Sequence, residues 1–493
     1  MRKYAVFARA STLIVAVMIV VITCFPFTAN SSLQQRNPSA EKLLKEKYPG
    51  CNTEVVAGDV LVKFKNRIPE DALKALVDEA LKEFLTPTFK ARTFRYDQVG
   101  PNQDLYLLHI DGVKVEDLVS YFSGPRAEVN KLTLMKDYGV QVEYAQPNFI
   151  FYQDDVIPND HRFREQWAMF NSARGVGGIS AVSAWHTTTG SPRIVVGVVD
   201  TGIALKHPVT GATLKHPDLD GNLWEAPRAF YVNAGGIVFC GARTHGFDAE
   251  RRNCLPAEDG TYHGTRVSGI IGAEGNNNLG IAGVNWSTQI MALRYGAGKE
   301  DQIVNAILFA VELKRLGLAN VRVLNNSYGY TTIGGARCRP TSLENAIRKA
   351  ADQNILFVAS AGNSRENNDK KPHYPSGLNV PNIIAVAGTS PTDQLYEDSN
   401  YGLTSVDIGA PGQRIISTDP PDDYDYGSGT SYAAPFVSGA AALILSKCPN
   451  LSTVTVKACI LDGIDRVEDL APYLPDGKRL NVKKALDKCT CAR

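Results

Sequence analysis

The sequence predicts an α/β protein: a mostly parallel β-sheet with helices on both faces, preceded by a smaller α+β unit. Three observations carry this. From Gln166-Trp167 onward, short continuous β-rich runs (Ile194 to Val199, Ile290 to Leu293, Val321 to Leu324, Ile355 to Ala359, Ile383 to Ala387) alternate with segments of helical spacing such as Asp301 to Leu316 and Ser342 to Gln353. Strands apolar on both sides belong in sheets covered on both faces. Upstream of Gln166 the pattern changes to alternating, half-buried strands, and 493 residues exceed one ordinary domain.

Taken in order, the chain opens with Arg2, Lys3 and Arg9, an uncharged apolar run from Leu13 to Phe27, and then Thr28-Ala29-Asn30-Ser31. That succession reads as a secretory signal peptide over 1–31, cut after Ser31 with Ala29 at the minus-three position. Left uncleaved, the same run would be a single-span membrane anchor. Residues 32–54 are polar. Gly58 to Phe64 alternates as a strand does, Pro69 to Phe84 has helical spacing, and strands recur at Asp104 to Ile110 and Val140 to Tyr144 with a helical stretch from Val115 to Asp137 between them. Strand, helix, strands, helix, strand is the order of a small ferredoxin-like unit. Beyond the parallel-sheet region the chain finishes on Lys478-Arg479-Leu480-Asn481 and a short helix.

Composition is that of a globular chain, 44% hydrophobic and 21% charged, with 52 Lys and Arg against 51 Asp and Glu. No basic footprint for nucleic acid follows from such a balance. Of nine cysteines, Cys24 lies in the signal segment and the others suit an oxidising compartment. Cys240 and Cys254 flank a short polar loop and form the expected pair. Cys489 and Cys491 are too close to bridge each other and are expected to pair elsewhere, with Cys448 or Cys459. Cys51 stands apart, and no Cys-x-x-Cys suggests zinc.

The chemistry lies at the ends of elements. Gly429-Thr430-Ser431 leads into the Ala-rich run Tyr432 to Leu445, placing the Ser431 hydroxyl at the positive end of a helix dipole. On its own such a serine is more often an N-cap. Val198-Val199-Asp200-Thr201-Gly202 puts a carboxylate at the tip of a central strand. Asp-Thr-Gly is also the signature of aspartic peptidases, but that chemistry needs two such carboxylates and the chain has one Asp-Thr-Gly. Tyr262-His263-Gly264-Thr265 sets a histidine at the mouth of a small-residue helix. Asp, His and Ser in that chain order match one of the known triad orders.

On these motifs, Asp-Thr-Gly, His-Gly-Thr-x-Val-x-Gly and Gly-Thr-Ser-x-Ala-x-Pro, the chain resembles the subtilisin-like serine peptidases, and the likeness covers nearly everything after the signal. The resemblance implies a subtilisin-like fold over 156–493, with Ser431 as nucleophile, His263 as general base and acid, and Asp200 orienting the imidazole. It makes Asn363, in Ser360-Ala361-Gly362-Asn363-Ser364, the oxyanion donor beside the Ser431 N–H. Ser327-Tyr328-Gly329 and Ser360-Ala361-Gly362 become the walls of the first specificity pocket, along which an extended peptide or protein substrate would lie. His373 stands where the family often has a small residue before Tyr-Pro, and is expected to shorten the pocket or turn it toward polar or acidic side chains.

The resemblance also implies a structural calcium held by oxygen ligands from Asp218, Asn277, Gln166 and the loop carbonyls of Gly275, Leu279 and Ile281. Residues 32–155 become a pro-region whose domain, about 55–151, helps the parallel sheet form and then inhibits the enzyme until cleavage between Tyr152 and Asp160. A cut after Asp154 or Asp155 would agree with an acidic preference. Departures are Tyr432 in place of the usual Met, Arg266 and Phe436 where His is common, and an apparent insertion at Leu205 to Thr213 when His216-Pro217-Asp218-Leu219 is aligned with the family motif. The expected protein is a monomeric, secreted endopeptidase made as a zymogen. A peptide ligase or cyclase, or a binding-only relative, would share the same fold. Asn285-Trp286-Ser287 and Asn450-Leu451-Ser452 are glycosylation sequons on a eukaryotic secretory route.

Overall fold

A computed structural model describes, of the first 154 residues, 45–47, 54–65, 68–69, 72–76, 94–99, 104–110, 113–123 and 141–149; beyond them it describes all but 171–176, 206–214, 259, 333–337 and 492–493. The signal segment, Cys51, residues 152–154 of the expected junction, nearly all of the Leu205 to Thr213 segment and most of the two upstream helices lie outside the described residues. The chain forms two compact units, Met1–Tyr152 and Gln153–Arg493.

In the first unit Glu54–Phe64 pairs antiparallel with Leu105–Ile110 on one side and with Val142–Phe149 on the other, and Leu105–Ile110 pairs in turn with Phe94–Gln98. That strand order is the one a split β-α-β unit gives. Along Leu105–Ile110 every second residue is buried, the period of a sheet with one wet face. Tyr106, Leu108 and Ile110 pack with Val60, Val62, Phe64 and with Leu118 and Phe122 of the Val115–Ser123 helix.

The second unit holds nine strands in the order Ile464–Arg466, Lys478–Leu480, Ile408–Pro411, Ile383–Thr389, Leu356–Ser360, Val321–Asn326, Gly190–Asp200, Ser287–Arg294, Gly246–Asp248. Pairing is parallel except between Ile464–Arg466 and Lys478–Leu480. Both faces are covered. Val196 and Val198 face Val267 and Ile270 of the His263–Gly272 helix and Leu443 of the Thr430–Lys447 helix, while Val195 and Val199 face Ile303 and Ile307 of Glu300–Arg315 and Ile347 of Thr341–Asp352. Each strand is therefore apolar at successive positions, which is why the runs read as continuous.

Register sets the working edge. Asp200 lies beside Arg294, Val199 beside Asn326, and Asn326 beside Ala359. The carboxyl ends of four neighbouring strands thus share one rim, where ligands bind in open α/β sheets. The Thr430–Lys447 helix is buried along nearly its whole length, as a helix apolar all round must be. Pro435 inside it has no N–H for the Ser431 carbonyl. The Ser327 hydroxyl donates to that carbonyl instead, at 2.9 Å, so the missing helix bond is replaced by a tie to the neighbouring strand end.

Candidate active site

Asp200 is fully buried, and its Oδ1 accepts the Thr201 N–H at 2.8 Å and faces His263 Nδ1 at 2.7 Å. His263 begins its helix. The helix can start this close because residue 264 is glycine: a Cβ there would meet the Gly202 carbonyl oxygen at 2.1 Å. The His263 pKa is raised, chiefly by the Asp200 charge, with burial opposing. With Nδ1 turned to Asp200, the ring's Nε2 is the nitrogen left to accept a proton.

Ser431 follows Gly429, whose φ of 140° suits only glycine. A Cβ on Gly429 would lie 3.3 Å from Ser431 Oγ and 3.3 Å from Asn363 Nδ2, so hydroxyl and amide border one spot. The Asn363 Oδ1 accepts from the Thr430 N–H (2.8 Å) and hydroxyl (3.0 Å), which leaves its NH2 as the free donor. Thr430 Oγ1 accepts the Gly362 N–H at 3.1 Å, and Asn400 Oδ1 accepts the Ser364 and Glu366 N–H groups. The donor is thereby fixed from both sides of its loop.

His263, Ser431 and Asn363 line one cleft of about 450 Å³ with Ser327, Tyr328, Gly329, Ser360, Gly362, Ser364 and His373. Ala361 alone of the expected wall residues stands behind it, its N–H bound to the Val386 carbonyl and its carbonyl to Asn368 Nδ2. The His373 ring lies between the two walls: a Cβ on Gly329 would meet its Cε1 at 2.2 Å, and one on Gly362 its Cδ2 at 2.8 Å. Its Nδ1 pairs with the Ser376 hydroxyl at 2.9 Å. Burial pushes its pKa down to about 4, so at neutral pH it is an uncharged plug. That geometry favours the shortened pocket over an acid-seeking one.

Of the expected calcium ligands, the Asp218, Asn277 and Gln166 side chains are engaged by protein groups. Asp218 Oδ1 accepts from Asn277 Nδ2 (2.8 Å), and Oδ2 accepts the Ile281 N–H and the Tyr424 hydroxyl, both at 3.0 Å. Gln166 spends both ends of its amide on the Ala282 backbone. Tyr424 packs against the loop so closely that a Cβ on Gly280 would meet its Cζ at 1.8 Å. Three donors aimed at one carboxylate are the opposite of what a hard cation needs, so Asp218 as arranged does not fit calcium. An ion held at a thousand times its Kd would stabilise by about 4 kcal/mol. Chelating such an ion would lower Tm by well over 2 °C, whereas with Asp218 engaged by protein donors EDTA is expected to move Tm by less than about 2 °C; Tyr424→Phe, which strips a donor from a buried carboxylate, costs about 1–3 kcal/mol, and calorimetry with and without chelator checks both.

Sequence reasoning passed over several residues that the structure brings to the site. Glu258, Thr201 and Thr265 lie behind the Asp200–His263 pair. Of the departures the sequence did show, Tyr432 sets its ring edge-on to His263 at 6.1 Å. Arg266 is held by Asp419 and Asp425. Cys240–Cys254 is bridged as expected; Cys448 pairs with Cys491 and Cys459 with Cys489, and Cys338 is free and exposed. Asn285 is fully buried, its amide donating to the Ile271 and Gly439 carbonyls, so it is no surface acceptor for a glycan. Among the described residues no helix is long and apolar enough to cross a membrane.

A doubly covered parallel sheet with Asp, His and Ser converging on its carboxyl rim is the arrangement of an α/β serine hydrolase. Residues 191–480 match the subtilase family, and the chain belongs to that family. It is 32% identical over 342 residues to the thermophilic serine proteinase of Bacillus sp. (strain AK1), covering 68% of this chain and 71% of that one. To the extracellular basic protease of Dichelobacter nodosus it is 31% identical over 360 residues, 66% of this chain and 54% of that one. Among solved structures, proteases from Pseudoalteromonas arctica PAMC 21717 superpose with a TM-score of 0.50 at 25% identity, covering 67% of this chain and 98% of that chain.

Proposed function

We propose that the chain is a secreted serine endopeptidase made as a self-processing zymogen. One observation carries this: the Asp200–His263 pair, the Ser431 hydroxyl and the Asn363 donor meet in one cleft at the strand ends. Ser431 Oγ attacks the scissile carbonyl as His263 Nε2 takes its proton, and Asp200 keeps the proton on Nδ1 and balances the imidazolium. Asn363 Nδ2 and the Ser431 N–H, which a helix N-terminus leaves without an intrahelical acceptor, receive the oxyanion. His263 then protonates the leaving amine, and water enters by the same route in reverse to free Ser431.

Secretion is supported by the basic, apolar and small-residue order of residues 1–31 and by a relative described as extracellular. Residues 32–155 serve as the inhibitory pro-region, released by a cut between 152 and 160. The Asn363 donor and the open cleft are equally compatible with transfer of the acyl group to an amine, so the product decides. Wild type and His373→Gly are incubated with a peptide library at neutral pH, with and without an added amine nucleophile, and the products sequenced. Free carboxyl termini in both are expected, with small residues preferred before the cut in the wild type. His373→Gly raises kcat/KM for Phe or Leu at that position by about 10- to 100-fold, the worth of burying one large side chain. Amine adducts as the main product would identify a ligase, and an unchanged profile would remove His373 from specificity.

A further inference from the structure

We propose that Glu258 is a positioning residue for the Asp200–His263 pair: its buried carboxylate docks the start of the His263 helix onto the Asp200 turn, and its charge supports the imidazolium. Glu258 is 7% exposed and does not line the cleft. Its Oε1 accepts from the Thr201 hydroxyl, the Gly264 N–H at 3.3 Å and the Thr261 hydroxyl at 3.4 Å, and its Oε2 accepts from the Thr265 hydroxyl at 2.6 Å. The Thr265 hydroxyl in turn accepts the Ala204 N–H at 2.9 Å, and the Thr201 hydroxyl accepts the Gly264 N–H at 3.0 Å. The backbone is tied as well, with Ile203 N–H to the Pro256 carbonyl and Glu258 N–H to the Ile203 carbonyl, each 3.0 Å.

The helix needs this partner. Its N-cap, Tyr262, is left-handed at φ 55° and offers no side-chain cap, so the Gly264 N–H is taken up from outside the helix, by the Thr201 hydroxyl and by Glu258, which also receives that hydroxyl. A carboxylate there also meets the positive end of the dipole. The charged and titratable groups around Glu258 are Asp200, His263 and Tyr295 after the Ser287–Arg294 strand, and Arg266 on the His263 helix acts on His263 in the opposite sense. Arg294, beside the same turn, is engaged by Asp248 and Glu250. Burial, with the Asp200 charge adding, lifts the Glu258 pKa to about 7, and the Glu258 charge is among the causes that raise His263.

The inference rests on reading Asp200, His263 and Ser431 as a triad, and its test includes a readout that needs no turnover. The His263 midpoint is followed by NMR of ring-labelled histidine, identified by its loss in His263→Ala, in the full chain and its variants. Glu258→Gln is expected to lower that midpoint by about 0.5 to 1 pH unit, to move the acid limb of kcat/KM the same way, and to cut kcat about tenfold with KM unchanged. Glu258→Asp restores the midpoint to within about 0.3 pH unit of wild type. A Glu258→Gln midpoint equal to wild type, or an equal loss of rate at every pH, overturns the proposal. Should Glu258→Gln not fold, Glu258→Asp carries the test, because it draws the charge back from Gly264: a kcat at least about threefold below wild type is expected, and an unchanged one overturns the positioning role. A chain without peptidase activity whose midpoint still falls in Glu258→Gln would sink the triad reading and leave this coupling standing.

Discussion

A Ser431→Ala chain is expected to keep its first unit and to lose peptide hydrolysis by about four to six orders of magnitude, with KM nearly unchanged. Removing the hydroxyl removes the covalent route, and His263 then has nothing to deprotonate but water. What rate survives comes from the Asn363 donor and from holding the peptide at the cleft. The substitution is gentle on the fold. Ser431 makes its tie to Ser327 through its carbonyl, which alanine keeps, and alanine suits a helix. Incubation of wild type and variant, with N-terminal sequencing over time, checks the result: only the wild type should gain a new terminus between 152 and 160. Processing of both at the same rate would mean that another peptidase performs the cut, and equal turnover would dismiss Ser431 as nucleophile.

Asn363→Asp should lower kcat by at least about a hundred- to a thousandfold with little change in KM. Aspartate retains the oxygen that receives the Thr430 N–H and hydroxyl, so the loop and the helix start stay in place. What changes is the other end of the side chain, where an acceptor replaces the NH2 that borders the Ser431 hydroxyl. Charge that develops on the substrate oxygen would meet repulsion instead of a hydrogen bond. Steady-state kinetics on one peptide decide the matter; a loss in KM alone would make Asn363 a binding residue rather than an oxyanion donor.

These two residues, with Asp200 and His263, stand out in the sequence because each sits in a short motif whose neighbours have their own physical reasons. Gly264 admits the close approach of helix to turn, Gly429 supplies the positive φ, and Pro435 frees the Ser431 carbonyl for Ser327. The parallel sheet was legible for a similar reason, since strands buried on both faces are apolar without alternation. The calcium expectation came from the same kind of local likeness, the Gly275 to Ile281 loop with Asp218, but a residue from outside that stretch bears on it. The hydroxyl that takes up Asp218 belongs to Tyr424, 206 positions further on. His373 could be singled out as a departure, but that its ring lies between Gly329 and Gly362 depended on two walls from distant strands.

The residues alone were enough for what is written into contiguous stretches: the sheet class, the motifs that carry Asp200, His263, Ser431 and Asn363 in that family's pattern, and the Cys240–Cys254 pair. Backbone geometry and capping act over a few positions, so their demands appear side by side in the chain. Which of Cys448 and Cys459 takes Cys491, where the His373 ring lies, which groups hydrogen-bond Asp218 and what stands behind His263 were decided by folding. Each is a contest among groups far apart in sequence, and burial and hydrogen-bond satisfaction choose the winner only when those groups have been packed together.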